Sequence, residues 1–213
     1  MSGRVRVKIC GLTSREDAET AIALGADALG FNFYAGSKRH LSFDENCKWI
    51  GALPTFVTKV AVLVNAPLPE AAGIVMHPAT DIVQLHGDED EKYCHELSLL
   101  GYAMVKAIRL RDAADIEKAA GFSTQNVLID AHVEGEYGGT GAAIDLPLAR
   151  EIVERQPALR IILAGGLTPE NVAEAVRAVR PFAVDVASGV ESAPGKKDPA
   201  KMAAFIAAVR SIS

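Results

Sequence analysis

Eight short apolar segments alternate with helical segments along the chain, and this alternation restricts the folds open to it. The segments are rich in β-branched residues, as strands buried on both faces of a sheet are. They cover residues 5–10, 28–33, 59–64, 82–85, 103–108, 127–130, 160–164 and 183–186. Regular strand–helix alternation is typical of a parallel sheet. We therefore predict an α/β fold, a single (β/α)8 TIM barrel, with residues 1–213 as one domain.

The distribution of glycine separates this barrel from its main alternative, an open doubly wound sheet. A doubly wound sheet that binds a dinucleotide carries the pattern G-x-G-x-x-G directly after its first strand. Here Cys10-Gly11-Leu12 follows the first strand, and the Gly-rich turns follow the last three strands instead. We therefore favour the closed barrel, whose strand ends meet on the face where such enzymes do their chemistry.

Helix boundary signals fall between the strands. Ser14 is placed to cap the first helix, which Gly25 ends. Another helical pattern covers residues 88–100. Pro169 and Pro199 each stand where the first residue of a further helix is expected.

Composition and charge exclude several classes of function. The formal net charge is −5 and Lys and Arg form no run, which argues against nucleic-acid or membrane binding. No apolar run is long enough to cross a bilayer, and the N-terminal segment lacks the apolar core of a signal peptide. We expect a cytoplasmic protein. The composition is compatible with a monomer and with a homodimer, and both stay open.

The cysteines and histidines argue against a disulfide framework and a metal site. The three cysteines are widely spaced, and the histidines lack the spacing of metal ligands. Cys47 and Cys94 fall in helical segments, where we expect inert apolar side chains. Cys10 ends the first strand and can remain a free thiol in the cytosol.

Strand alternation turns Lys8 and Cys10 towards the inside of the barrel. A buried lysine needs a partner, and the last strand, which neighbours the first in a closed barrel, offers Asp185. We predict a Lys8–Asp185 pair below the pocket, with the Lys8 charge favouring a Cys10 thiolate. The alternative for Cys10 is a small, inert apolar side chain.

Asp130 ends the sixth strand, which we expect to face the first strand across the barrel. Its carboxyl group either caps the following loop or acts as a general acid or base. A small substrate held between the two strands would meet Cys10 on one side and Asp130 on the other.

Three late turns are candidates for a phosphate site. Barrels of this kind often bind phosphate in the loops after strands 7 and 8, beside a short extra helix, for which residues 190–192 are a candidate. Glycine lets backbone N–H groups approach an anion closely, and ordinary turn chemistry is the alternative. The candidate phosphate-binding residues are Gly139, Thr140, Gly141, Gly165, Gly166, Ser188 and Gly189.

Further candidate side chains follow the second and fourth strands. The Arg39 guanidinium can hold a carboxylate through two hydrogen bonds, and a solvated loop charge is the alternative. Gln84 and His86 share one face of the fourth strand, where His86 either contacts the substrate or holds a loop.

Motifs spread over nearly the whole chain resemble those of the phosphoribosylanthranilate isomerases of tryptophan biosynthesis. They are Val7-Lys-Ile-Cys-Gly-Leu-Thr13, Ala26-Asp-Ala-Leu-Gly-Phe31, Ser37-x-Arg39, Val83-Gln-Leu-His-Gly-Asp88, Gly138-Gly-Thr-Gly141, Leu163-Ala-Gly-Gly-Leu-x-Pro-Glu-Asn-Val172 and Val184-Asp-Val-x-Ser-Gly-Val-Glu191. The resemblance implies an Amadori rearrangement of an N-ribosylated anthranilate, without metal or organic cofactor. It makes Asp130 the general acid and Cys10 the general base. It assigns the substrate carboxylate to Arg39 and the phosphate to the three Gly turns.

The chain departs from the family pattern at Asn32, Lys38, Ala187 and residues 142–146. A related isomerase of histidine synthesis is one alternative, but it resembles a pair of aspartates at the two catalytic positions, and Cys10 argues against it. A metal-dependent sugar-phosphate epimerase would need His and Asp ligands on several strands. A binding module that has lost turnover is the non-enzyme alternative.

Overall fold

The computed structural model describes residues 4–131 and 144–212. In this part of the chain, parallel strands close into a barrel in the order β1 to β8. The strands are β1 (Arg6–Cys10), β2 (Ala28–Asn32), β3 (Thr58–Leu63), β4 (Ile82–Leu85), β5 (Ala103–Leu110), β6 (Asn126–Ala131), β7 (Arg160–Leu163) and β8 (Ala183–Val186), followed by a small antiparallel pair, β9 (Glu191–Ala193) and β10 (Lys196–Lys197). The predicted (β/α)8 barrel is confirmed.

Helices alternate with these strands and cover the outside of the barrel. They are α1 (Arg15–Leu24), α2 (Phe43–Gly51), α3 (Leu68–Val75), α4 (Glu91–Ser98), α5 (Ala113–Ala119), α6 (Leu146–Arg155), α7 (Val172–Val179) and α8 (Pro199–Arg210). A 3₁₀ turn, Ser188–Val190, follows β8. Across residues 4–131 and 144–212, none of these helices has the length and apolar character needed to span a membrane.

Alternation along each strand divides the core into two layers. Outward-facing residues such as Val7 and Ile9 pack against the helices in the larger layer. A smaller apolar cluster, which includes Ala107, Leu128 and Ile162, lies inside the barrel. Because β1 lies between β2 and β8, Lys8 pairs in register with Asp185. The closure of the barrel therefore places the two charges next to each other.

Helix caps confirm some predicted boundaries. The Ser14 side chain accepts a hydrogen bond from the Asp17 N–H (3.1 Å), and Gly25 ends α1 with a φ of 93°. Asp198 caps α8, and Pro199 is its first residue.

Three predicted helix positions were wrong. The helix predicted at 88–100 is shorter, because Asp90 caps α4. Pro169 precedes α7 rather than starting it, since the Asn171 side chain accepts from the Thr168 N–H and donates to the Gly166 carbonyl, which holds a turn there. The extra helix predicted at 190–192 lies earlier, at Ser188–Val190.

Candidate active site

A pocket opens at the carboxyl ends of the strands, with a volume of about 720 Å³ when the space open to solvent is counted. Its lining includes Cys10 from β1, Arg39 from the loop after β2, His86 after β4, and Asp130 from β6. Gln84 lies beside His86, and Asp185 contributes from β8. The structure therefore brings the predicted side chains, which are far apart in sequence, to one place. Their chemical roles stay predictions.

The Lys8–Asp185 ion pair predicted from strand alternation is present. Lys8 Nζ lies 2.8 Å from Asp185 Oδ1, and both side chains are buried. Burial acts to lower the pKa of Lys8, but attraction and hydrogen bonding to Asp185 and Cys10 together outweigh it and raise this pKa above its ordinary value. The pair therefore places a fixed ammonium group beside Cys10.

Lys8 favours a Cys10 thiolate, as predicted, but other influences reverse the net effect on the pKa of the thiol. Burial is the largest influence and raises the pKa of the Cys10 thiol, and the Asp185 carboxylate raises it further. Lys8 lowers this pKa, but by less. Since burial and Asp185 together outweigh Lys8, the thiol is the favoured form at neutral pH.

Asp130 lies next to His86 in the pocket. Asp130 Oδ1 accepts a hydrogen bond from the Ala131 N–H (2.8 Å), and Oδ2 lies 3.4 Å from His86 Nε2. Gln84 Nε2 lies 2.8 Å from His86 Nδ1. With the Gln84 amide assigned as donor to Nδ1, the neutral imidazole carries its proton on Nε2, towards Asp130. Gln84 therefore orients the ring that Asp130 faces.

A buried ion pair holds the loop that carries His86. Lys106 Nζ lies 2.8 Å from Glu89 Oε2 and donates to the Gly87 carbonyl at 2.8 Å. Glu89 Oε1 also accepts from the Asn65 N–H, at 2.8 Å. These contacts connect the loops after β3 and β4 to β5, so His86 sits on a fixed support. None of this set was predicted from the sequence.

Arg39 is not a solvated loop charge, because its guanidinium is paired with a carboxylate of the protein. Its Nε and Nη2 donate to the two carboxylate oxygens of Glu191, both at 2.7 Å. Lys197 Nζ donates to the same carboxylate at 2.9 Å, and its side chain is fully buried. Both Glu191 and Lys197 were missed as site residues, because only the folded chain brings them to Arg39.

The described part of the predicted phosphate site also lies at the pocket. Gly165, Gly166, Ser188 and Gly189 line it. The first N–H groups of the turn that starts at Ser188 have no acceptor within that turn, as at any helix start. A Cβ on Gly189 would lie 1.9 Å from the Leu167 carbonyl oxygen, so only glycine fits there. Gly139, Thr140 and Gly141 lie outside the described residues.

The fold and the position of this pocket define a TIM-barrel enzyme, since such barrels carry their active sites at the carboxyl ends of the strands. Comparison with known proteins identifies the enzyme family. Residues 7–208 match the family model of N-(5'-phosphoribosyl)anthranilate (PRA) isomerase. The chain belongs to this family, and it is therefore an isomerase of tryptophan biosynthesis.

Individual relatives agree over nearly the full length. The N-(5'-phosphoribosyl)anthranilate isomerase of Trichlorobacter lovleyi is 46% identical over 202 residues, which cover 95% of this chain and 96% of that protein. A phosphoribosyl anthranilate isomerase solved in complex with reduced 1-(o-carboxyphenylamino)-1-deoxyribulose 5-phosphate is 36% identical (TM-score 0.82; 97% and 99% covered). Monomers generated from the dimeric enzyme of Thermotoga maritima are 35% identical (TM-score 0.84; 97% and 99% covered).

Replacing Asp185 with Asn tests the contribution of the buried ion pair to stability. The variant leaves the Lys8 ammonium buried without its counter-charge, so we expect a loss of about 3–5 kcal/mol in the free energy of unfolding. Urea denaturation at pH 7 measures it. The control is Glu19→Gln, which breaks the exposed Arg15–Glu19 pair of α1 and should cost less than about 1 kcal/mol. Equal losses in the two variants would contradict the prediction.

Proposed function

We propose that this chain converts N-(5'-phosphoribosyl)anthranilate into 1-(2-carboxyphenylamino)-1-deoxyribulose 5-phosphate. Membership of the isomerase family is the observation that carries the proposal. The pocket supports it, because a thiol, a carboxyl group, a guanidinium and Gly-rich turns line the same cavity. Those groups suit a small substrate that carries an anionic group at each end and undergoes proton transfer in the segment between them.

The proposed reaction begins with ring opening. Asp130 gives a proton to the ring oxygen of the furanose while the C1'–oxygen bond breaks. The nitrogen lone pair forms the C1'=N bond, which yields a protonated Schiff base. Asp130 suits this role because its Oδ2 faces the pocket beside His86, while Oδ1 accepts the Ala131 N–H.

Proton transfer from C2' completes the rearrangement. The Cys10 thiolate takes the C2' proton, and the electron pair of that bond forms C1'=C2' and neutralises the nitrogen. The resulting enolamine gains a proton at C1' and loses the one on its 2'-oxygen, which leaves the ketone. No atom is gained or lost overall, so the step needs no oxidant or reductant.

Two anchors would orient the substrate. Gly165, Gly166, Ser188 and Gly189 offer backbone N–H groups to the phosphate. Glu191 accepts from only Nε and Nη2 of Arg39, so the Nη1 donors lie outside that pair and can receive the anthranilate carboxylate. Holding both ends fixes the C1'–C2' segment between Asp130 and Cys10, an entropic contribution to rate.

A fluorescence assay tests the proposed function. Phosphoribosylanthranilate is generated by condensing anthranilate with ribose 5-phosphate, which releases water. The purified chain is then added, and the anthranilate-type emission is followed. We expect rapid decay of the emission that depends on the amount of chain. An emission that decays no faster than in buffer would overturn the proposal.

The homodimer stays a prediction, which sedimentation velocity of the same sample tests.

Replacing Arg39 with Met tests the carboxylate anchor. A charged, paired hydrogen bond to the substrate would be lost, so we expect KM for phosphoribosylanthranilate to rise about 30-fold, with a smaller change in kcat. Steady-state kinetics measure both constants. Glu191 remains paired with Lys197 in this variant, which favours folding. The control Arg15→Met removes an exposed arginine of α1 and should leave KM unchanged. An unaltered KM in Arg39→Met would rule out this role.

A further inference from the structure

Arg39, Glu191 and Lys197 form a cluster of charges at the rim of the pocket, which we call the rim cluster. Arg39 and Glu191 make a bidentate ion pair, and Lys197 Nζ approaches the same carboxylate from 2.9 Å. The Arg39 and Glu191 side chains are largely buried, and that of Lys197 is fully buried. Burying an ammonium group is costly unless it is paired. A second cation on one carboxylate therefore calls for an explanation.

The charges of the rim cluster do not cancel. Arg39 and Lys197 lower the pKa of Glu191 and keep it ionised, although burial opposes this. Burial lowers the pKa of Lys197, but attraction and a hydrogen bond to Glu191 oppose this and favour the charged ammonium. Two cations and one anion then leave one surplus positive charge. If Lys197 were neutral, the bidentate pair would be self-compensated, and the guanidinium would attract a further anion weakly. With Lys197 present, the Glu191 charge is shared between two cations.

We propose that Lys197 is a positioning residue for the substrate carboxylate, acting through Glu191 on Arg39. It balances the Glu191 charge, so that Arg39 keeps a net positive charge towards the substrate. This inference rests on the role proposed for Arg39. It assigns a function to a residue that is not among those lining the pocket.

Lys197 makes a second contact that the test must separate from the first. Its Nζ donates to the Ala187 carbonyl at 3.0 Å, directly before the turn Ser188–Val190 of the proposed phosphate site. Loss of Lys197 could therefore disturb phosphate binding instead. An effect through charge acts on ligands that carry the carboxylate, whereas an effect through the turn acts on every ligand that carries the phosphate.

The experiment compares two ligands by isothermal titration calorimetry. One is reduced 1-(o-carboxyphenylamino)-1-deoxyribulose 5-phosphate, and the other is its anilino analogue without the carboxylate. In Lys197→Met we expect the affinity for the first to fall about tenfold and that for the second to stay within about threefold. Lys197→Gln removes the charge but retains a donor for the Ala187 carbonyl. It should change the two affinities as Lys197→Met does.

A double variant tests the charge balance directly. In Lys197→Met with Glu191→Gln, both compensating charges are gone, while the introduced glutamine side chain can still accept a hydrogen bond from Arg39. We expect the preference for the carboxylate ligand to return to within about threefold of the original chain, because one net positive charge is restored. A merely structural role of Lys197 would leave the double variant as weak as the single one, or weaker.

The possible results distinguish a failure of the role proposed for Arg39 from a failure of the inference about Lys197. If the original chain binds both ligands equally, the proposed role of Arg39 fails. If the original chain prefers the carboxylate ligand and Lys197→Met and Lys197→Gln keep that preference, only the inference about Lys197 is overturned. Equal weakening of both ligands in Lys197→Met would assign Lys197 to the phosphate turn and would also overturn it. Circular dichroism melting of each variant confirms that folded protein is compared.

Discussion

Replacing Asp130 with Asn should lower kcat for phosphoribosylanthranilate by about 1,000-fold, because the variant has no acidic proton to give to the ring oxygen. Asparagine keeps the shape of the side chain and an oxygen that can accept the Ala131 N–H, which Asp130 Oδ1 accepts at 2.8 Å. We therefore expect the variant to fold. Steady-state and single-turnover kinetics with the fluorescent substrate measure the loss.

Binding should be spared in this variant. Asp130 is proposed to act in ring opening rather than in holding either anion, so the affinity for the reduced product analogue should stay within about threefold. The matched control is Asp112→Asn, which exchanges a carboxylate for an amide at the N-cap of α5, where Asn caps as well as Asp. A folded Asp130→Asn variant that keeps turnover within tenfold would show that another group opens the ring.

The barrel could be predicted because its determinants are local and periodic. Each predicted strand lies within about two residues of an observed one, since burial on both faces leaves a short apolar run in the sequence. The Lys8–Asp185 contact, between residues 177 positions apart, was also predictable. A closed barrel makes the first and last strands neighbours, and a buried lysine on one needs a carboxylate on the other.

The rim cluster could not be found in this way. Arg39 and Glu191 are 152 positions apart, and they meet between a loop and the small β9–β10 pair rather than through the register of neighbouring strands. The signal in the sequence was limited to a motif that ends at Glu191. Lys197 gave none, because two lysines directly before Asp198-Pro199 are typical of exposed residues.

The need for glycine at position 30 could not be predicted from the sequence either. A Cβ at this position would lie 2.7 Å from Cys10 Sγ and 3.0 Å from Lys8 Nζ. The glycine on β2 thus leaves room for the thiol and the ammonium group of the adjacent β1. Because this need arises from the neighbouring strand, nothing in the residues around Gly30 indicates it.

The thiol chemistry depends on the direction in which the surroundings of Cys10 shift its pKa. Burial and the Asp185 carboxylate raise this pKa, and Lys8 offsets only part of the increase. A general base works in its deprotonated form, so only a small fraction of the chains holds a thiolate at pH 7. That fraction grows about tenfold for each pH unit below the pKa. We therefore expect the rate at which iodoacetamide alkylates Cys10 in the free chain, followed by mass spectrometry, to keep rising above pH 9, where an ordinary free thiol levels off.

Replacing Cys10 with Ala should remove this base and lower kcat by about 1,000-fold or more. The Lys8–Asp185 pair remains in the variant, so folding is expected to persist. The matched control is Cys94→Ala: Cys94 is a buried thiol of α4 that does not line the pocket, and its loss should leave kcat unchanged. A folded Cys10→Ala variant that keeps kcat within tenfold of the original chain would assign the proton transfer to another group.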